Sequence, residues 1–160
     1  MSVEVAELDE IRLVGIKVVG RQSELSHRVP LAWLELVRVQ DAIPDRVGPE
    51  LYYGVTPEAH HHEEGDPVYV YWVGVQVASS GETPPGTATL VVPPQTCAAA
   101  TVRGGPEEIG ATYVALGRWM EAQGREAKRD GYAVERYDVR RQPVTPPYDR
   151  FDYEVFRPLA

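Results

Sequence analysis

Val68-Tyr69-Val70-Tyr71-Trp72-Val73-Gly74-Val75-Gln76-Val77-Ala78 is the stretch on which the fold turns. β-Branched and aromatic residues fill it without a proline, which predicts a strand. Both of its faces are apolar, which predicts a central place in a sheet. Side chains alternate across a strand, so Tyr69, Tyr71 and Val73 share one face, and Val70, Trp72 and Gly74 share the other. One set is expected beneath helices and the other toward a groove. Trp72 and Gly74 are assigned to the groove, because a glycine leaves room for a ligand beside the indole. The alternative is Trp72 as plain core.

Upstream, Ile11 to Val19 and Leu51 to Val55 read as strands. Between them Pro30 suits the first turn of a helix. Leu31, Leu34 and Val37 follow as an apolar stripe, widened by Trp33 and Leu36, and Pro44 ends the helix near Ile43. Polar residues from Pro57 to Pro67 read as a connecting loop. Downstream, Ser79 to Thr87 is a break rich in Ser, Gly and Pro. Ala88–Val92 and Cys97–Val102 are strands, and Pro106 opens a second helix with Glu107 and Glu108 in its first turn, where the dipole favours them. Ile109, Tyr113, Leu116 and Met120 form its apolar stripe. Tyr132–Arg140 and Asp152–Arg157 are the last strands.

The order strand–helix–strand–strand therefore occurs twice, with Pro30 and Pro106 76 residues apart. This predicts one α+β domain over residues 1–160, with a first unit at about 1–78 and a second at about 88–160. Its sheet is mainly antiparallel, with helices on one side, and the seam between the halves is the place for a cleft.

Composition narrows the function. The chain has 160 residues, 16 Lys+Arg against 24 Asp+Glu, and a formal charge of −8. That balance argues against a nucleic-acid surface, which needs clustered Lys and Arg. It favours a neutral or cationic partner. No apolar run is long enough to span a membrane, and no signal peptide is evident, so a soluble cytoplasmic protein is expected. The single Cys97 excludes an internal disulfide framework and fits a small buried hydrophobe. Nine Tyr and three Trp against two Phe is an excess of aromatics with polar tips, which suits a ligand groove.

One carboxylate does not fit its surroundings. In the strand from Tyr132, Ala133, Glu135, Tyr137 and Val139 share the more apolar face. A carboxylate there is costly without a partner, and its pKa rises if it stays unpaired. Two readings are open. Glu135 meets a ligand cation or acts as a general base, with aromatic walls adding cation–π attraction. Otherwise it forms a salt bridge with Arg136, Arg140 or another basic residue.

Several short motifs stand in a definite order. They are Ile43-Pro44, Tyr53-Gly54-Val55, Trp72 to Val77, Pro85-Gly86, Leu90-Val91-Val92-Pro93 and Ala98 to Gly104, followed by Trp119, Glu135-Arg136-Tyr137 and Tyr153 to Leu159. With them the chain resembles the GyrI-like, or AraC-type effector-binding, domain family along nearly its whole length. The resemblance implies two repeats related by pseudo-two-fold symmetry with a ligand groove between them. It implies binding of lipophilic, often cationic small molecules near a buried Glu, without a cofactor. Carried over to this sequence, the ligand-binding residues are Glu135 and Tyr137, with Tyr53, Trp72, Trp33 and Tyr113 as further walls. Many relatives carry the domain behind a DNA-binding helix-turn-helix. The 29 residues before Pro30 read here as strand, so a stand-alone binding domain without direct nucleic-acid contact is expected. Some relatives resemble hydrolases of cyclopropane-bearing toxins, which would make Glu135 and Tyr137 catalytic; others resemble gyrase-modulating proteins.

The remaining candidates are weaker. His60-His61-His62-Glu63-Glu64 has metal-ligating side chains, but neighbours in an extended loop point apart, so an exposed loop tip without metal is expected. Trp119 continues the stripe of the second helix and is assigned to the core. Glu154 is assigned to an edge salt bridge, and Glu4, Glu7, Asp9 and Glu10 to a solvated surface.

Overall fold

The computed structural model describes residues 2–79 and 81–160, which leaves Met1, and Ser80 of the Ser79–Thr87 break, outside the described residues. The chain runs β1 (Glu4–Leu8), β2 (Ile11–Arg21), α1 (Gln22–Val39), β3 (Leu51–Pro57), β4 (Val68–Gln76), β5 (Ala88–Val92), β6 (Gln95–Gly104), α2 (Glu107–Ala122), β7 (Tyr132–Asp138) and β8 (Phe151–Pro158). Short 3-10 turns cover Gln40–Ala42 and Glu58–His62. The strands form one sheet in the order β1-β6-β8-β7-β3-β4-β2-β5, paired antiparallel throughout.

That order carries the pseudo-two-fold symmetry. β6-β8-β7 on one side matches β2-β4-β3 on the other, and the two sets meet at the β7–β3 pair. Each set is extended by a strand that precedes the opposite half in the chain: β1 adds to β6, and β5 adds to β2. The registers assign equivalent residues. Tyr53, Gly54 and Val55 pair with Gly74, Val73 and Trp72, as Val134, Glu135 and Arg136 pair with Phe156, Val155 and Glu154. Gly54 thus corresponds to Glu135, and Tyr71 to Tyr153. Ile16 pairs with Val73 and Ala100 with Val155, so these two also correspond. The offset between halves is 81 residues at Gly54 and Glu135, and 84 at Ile16 and Ala100. The 76-residue spacing of the prolines is not the repeat, because Pro30 does not open α1.

α1 begins at Gln22 and holds Pro30 inside it. Its start is fixed by side chains rather than by proline. The Asp66 carboxylate accepts hydrogen bonds from the Ser23 backbone N–H at 2.9 Å and hydroxyl at 2.8 Å, and Glu24 reaches back to the Arg21 N–H at 3.0 Å. Pro30 only removes the bond to the Ser26 carbonyl, and that residue is exposed, so water can serve it. The stripe shifts accordingly: Leu31 and Leu34 are exposed, while Trp33, Leu36 and Ala32 are buried with Leu25 and Val29 packed beside them. The second helix follows its expected stripe, with Leu116 and Met120 buried and Ile109, Tyr113 and Trp119 packed against the same cluster.

Both helices lie on one face of the sheet. α1 covers Val14, Val18, Val73 and Val75, and α2 covers Ala98, Ala100, Val102 and Val155. The other face is apolar too and is buried by the curl of the sheet, around Leu13, Tyr53, Val55, Trp72, Val134 and Phe156. Cys97 belongs to this core, and burial pushes its thiol up to about 11. β1 is an edge strand that the acid run concealed: Ala6 and Leu8 join the core, while Glu7 accepts from the Thr96 hydroxyl at 2.9 Å. Among the described residues no helix is long and apolar enough to cross a membrane.

Candidate ligand-binding site

The helix-bearing face has an opening between α1 and α2, over the β7–β3–β4 ladder. It is a cavity of about 290 Å³ to which six elements contribute. β7 supplies Glu135 and Ala133, β4 supplies Tyr71 and Tyr69, and β3 supplies Thr56. α1 supplies Gln22 and Leu25, α2 supplies Tyr113, and the Glu58–His62 turn supplies His61.

Glu135 is the charged floor of this cavity, and among the described residues no cation pairs with it. Arg136 points to the opposite face, where its guanidinium holds Glu154 at 2.9 and 3.1 Å and lies over the Phe156 ring. Arg140 is bound to Asp138 at 2.6 and 2.9 Å. The salt-bridge alternative from those two arginines is therefore used up elsewhere, and Glu154 forms the salt bridge expected for it, though between the inner strands β7 and β8 rather than at a sheet edge. Tyr71 donates its hydroxyl directly to Glu135 Oε1. Loss of water raises the Glu135 pKa above its ordinary value, and hydrogen bonding from Tyr71, Tyr137 and Tyr153 pulls the other way without cancelling it.

Burial, followed by the charge of Glu135, raises the pKa of Tyr71, Tyr113 and Tyr137 well above that of a free phenol, and that of Tyr153 as well. At neutral pH these groups are protonated donors and apolar walls, not phenolate nucleophiles. Tyr137 stacks on Tyr153 at 4.6 Å between ring centroids, and Trp33 meets Tyr137 edge-on at 5.5 Å. Trp33 therefore stands behind Tyr137 and braces it rather than lining the cavity.

Room for the carboxylate comes from Gly54. A methyl group there would run into the Tyr71 phenol and approach Glu135 Oε1 to 2.9 Å. The bare backbone of β3 is what lets Tyr71 from β4 reach across to Glu135 on β7.

Of the six residues marked in the sequence, Glu135, Tyr137 and Tyr113 come together, with Trp33 one layer behind. Tyr53 and Trp72 lie on the opposite face, 3% and 8% exposed, packed in the core inside the curl. The assignment of Trp72 and Gly74 to the groove face is corrected: Tyr69 and Tyr71 take that role. Alternation fixed the two sets but not which set faces the helices, because both faces of β4 are buried. Tyr71, Tyr69 and His61 are the ring-bearing cavity residues that the sequence did not mark, and Tyr153, outside the lining, is a further unmarked hydrogen-bond partner of Glu135.

The histidine segment is exposed at His61, His62, Glu63 and Glu64, as expected, but it is not an extended loop: Glu58–His62 forms a 3-10 turn with His60 half-buried. The turn folds back against the cavity, held by Tyr69 Oη donating to the His60 carbonyl at 2.6 Å and by the Val70 N–H donating to His60 Nε2 at 3.3 Å. Beneath it Glu58 is fully buried in a two-pronged bridge to Arg157, with both bonds at 2.6 Å, and His62 Nε2 lies 2.8 Å from the same carboxylate. Those partners occupy the ring nitrogens of His60 and His62 Nε2 but not the His61 ring, and among the described residues no group of three or more His, Cys, Asp or Glu could hold a metal ion.

The whole chain, residues 1–160, matches the model of the GyrI-like small molecule binding domain. The chain belongs to the GyrI-like family. Among curated proteins none matches it. Of solved structures, the C-terminal domain of EcmrR superposes with a TM-score of 0.72 at 16% identity, over 99% of this chain and 97% of that one. SAV2435, solved bound to tetraphenylphosphonium, gives 0.70 at 15% identity over 100% and 94%. A hydrolase encoded by lin2189 from Listeria innocua gives 0.56 at 13% identity over 99% and 91%. At these identities the likeness is one of fold, and this GyrI-like chain shares it from end to end.

Proposed function

We propose that this GyrI-like protein binds lipophilic organic cations in the cavity above Glu135, as a sensor or a sequestering protein. The observation that carries this reading is the carboxylate itself: a desolvated acid in an aromatic chamber with no cation paired to it among the described residues. A bound cation supplies the missing charge, and the tyrosine faces add cation–π attraction. Two resemblances support the ligand class. The family is one of small-molecule binders, and SAV2435 has been solved with tetraphenylphosphonium.

The test is calorimetric titration with tetraphenylphosphonium and with its anionic counterpart tetraphenylborate. The cation binds and the anion does not. Glu135→Gln costs roughly 2–5 kcal/mol, or about 30-fold or more in affinity. Wild-type affinity also weakens as pH falls through the raised Glu135 pKa, since the protonated acid carries no charge. Equal affinity of wild type and Glu135→Gln for the cation would remove the carboxylate from the site.

The second reading, hydrolysis, is favoured by the raised Glu135 pKa, which brings the acid toward the range of a general base acting on water. A phenol such as Tyr137 would then donate to the leaving group. Turnover of a cyclopropane-bearing alkylator that disappears in Glu135→Gln would establish it, and tight binding without product would leave the protein a binder.

A further inference from the structure

Next to the cavity over Glu135 lies a second, shallower hollow of about 390 Å³. His61 and Tyr113 line both, and Val114 and Arg157 complete the outer one. The wall between the hollows is thus one pair of rings: the His61 imidazole stacked on the Tyr113 phenol, 5.6 Å between centroids and 21° from parallel.

The three consecutive histidines are not held alike. His60 is fixed by Glu63 on one ring nitrogen and by the Val70 N–H on the other. His62 is fixed on the buried Glu58. The His61 ring makes its contact with Tyr113 through stacking, and no hydrogen bond ties either of its nitrogens among the described residues. Its turn is anchored on both sides, while its own side chain is held by the Tyr113 stack and by no hydrogen bond among the described residues. Breaking one aromatic stack is a small cost beside the burial of another ring. Desolvation and then Arg157 hold the His61 pKa down, to about 4, so the ring is neutral and does not repel a cation.

We propose that His61 is a swinging partition, and that the outer hollow is a second chamber of the binding site, opened by ligands too large for the inner one. The inner cavity, at about 290 Å³, stands at the lower end of the roughly 300–1,000 Å³ range of pockets for drug-sized molecules, so a larger ligand needs room beyond it. The ligand class is an extended lipophilic cation. Its charge lies over Glu135, and a further ring takes the place of the imidazole on Tyr113 and points toward Arg157. This rests on the cation-binding reading above and adds a size limit set by one residue.

The experiment compares a one-ring cation, benzyltrimethylammonium, with the four-ring tetraphenylphosphonium on the intact chain. The quantity read is the ratio of their affinities. His61→Ala raises the preference for the large cation about 3- to 10-fold, the gain from no longer having to break the stack. His61→Trp, with a broader ring on Tyr113, lowers it. A ratio unchanged in both variants, or shifted the same way by both, overturns the proposal. Relaxation dispersion on the ¹³C-labelled His61 ring reads the partition without any ligand: exchange between rotamers is expected, and a single fixed rotamer overturns it. Glu135→Gln separates the two readings. If that variant binds both cations as wild type does while the His61 variants still sort them by size, the cation role fails and the second chamber stands. If neither cation binds wild type, the cation role falls and the ring-exchange result alone decides the partition.

Discussion

Gly54 and Glu135 occupy equivalent places in the two halves and face each other across the β3–β7 ladder. Around them the halves agree: each is flanked by a valine on the neighbouring strand, Val73 or Val155, and by a tyrosine two residues before it, Tyr71 or Tyr153. At the axis they differ completely, one half supplying a carboxylate and the other a bare backbone. Two carboxylates this close would repel each other, and one would be protonated. There is also no space, since a Cβ on Gly54 would meet Glu135 Oε1 at 2.9 Å. A symmetric cradle of tyrosines thus serves a single negative charge. The duplication supplies donors from both sides, and its local failure at the axis makes room for the charge they hold.

A second difference lies further along the same strands. Arg157 on β8 pairs with Ala98, and the equivalent Val75 on β4 pairs with Val14. Val75 is plain core, whereas Arg157 reaches over to the first half and clamps the buried Glu58. This ion pair fixes the start of the turn that carries His61. Making the halves alike here should have the largest effect. Arg157→Val leaves Glu58 charged and buried without its partner, and a loss of about 3–5 kcal/mol is expected by thermal or urea denaturation. The double variant Arg157→Val with Glu58→Leu removes both charges and should recover most of that loss. If the single and double variants are equally destabilised, the clamp holds the turn in some way other than by its charges.

Making the axis less open is the next step down. Gly54→Ala inserts a methyl group against the Tyr71 phenol. Overpacking of this kind costs about 1–3 kcal/mol. The more specific consequence is that Tyr71 is pushed off Glu135, which removes the first of the hydrogen bonds that hold the acid's pKa down. The Glu135 pKa, followed by ¹³C-detected titration of its carboxyl, should therefore rise above the wild-type value. A lower or unchanged pKa in a folded Gly54→Ala protein would mean that Tyr71 does not depend on this gap.

The contrast between the halves also separates what could be read in the residues from what could not. Glu135 was legible because alternation put a carboxylate among apolar neighbours, a local signal. Both helices were legible, and α2 in its stripe as well. The stripe of α1 was not, because Pro30 looks like a helix start when Asp66, 43 residues beyond Ser23, is what starts the helix. Tyr71 was passed over for Trp72 because a strand buried on both faces gives no sign of which face holds the helices. Gly54 stood among the resemblance motifs, yet its role appears only once β3 lies between β4 and β7. Glu58 and Arg157, 99 residues apart, carry no mutual signal in one sequence. The features missed are those set by which strands become neighbours.

The smallest effect is also the one that ties the asymmetry to function. Glu135 has a raised pKa when folded, so between its unfolded and folded values the native chain keeps a proton that the unfolded chain has lost. Stability contributed by this site therefore falls as pH rises through that window, and above it the full cost of a desolvated, unpaired carboxylate is present. Asp138 behaves oppositely: Arg140 holds its pKa down to about 2, so its contribution is lost in acid, as pH falls from its unfolded value toward that one. That term belongs equally to wild type and to Glu135→Gln, and it drops out of their difference. The difference in unfolding free energy, wild type minus Glu135→Gln, should become more negative from acid to neutral pH and then level off. Saturating tetraphenylphosphonium should flatten this slope, because a bound cation supplies the partner that the half carrying Gly54 does not. A difference that instead rises with pH would mean that the carboxylate already has its counter-charge within the protein, and the cavity would then have no electrostatic reason to bind a cation.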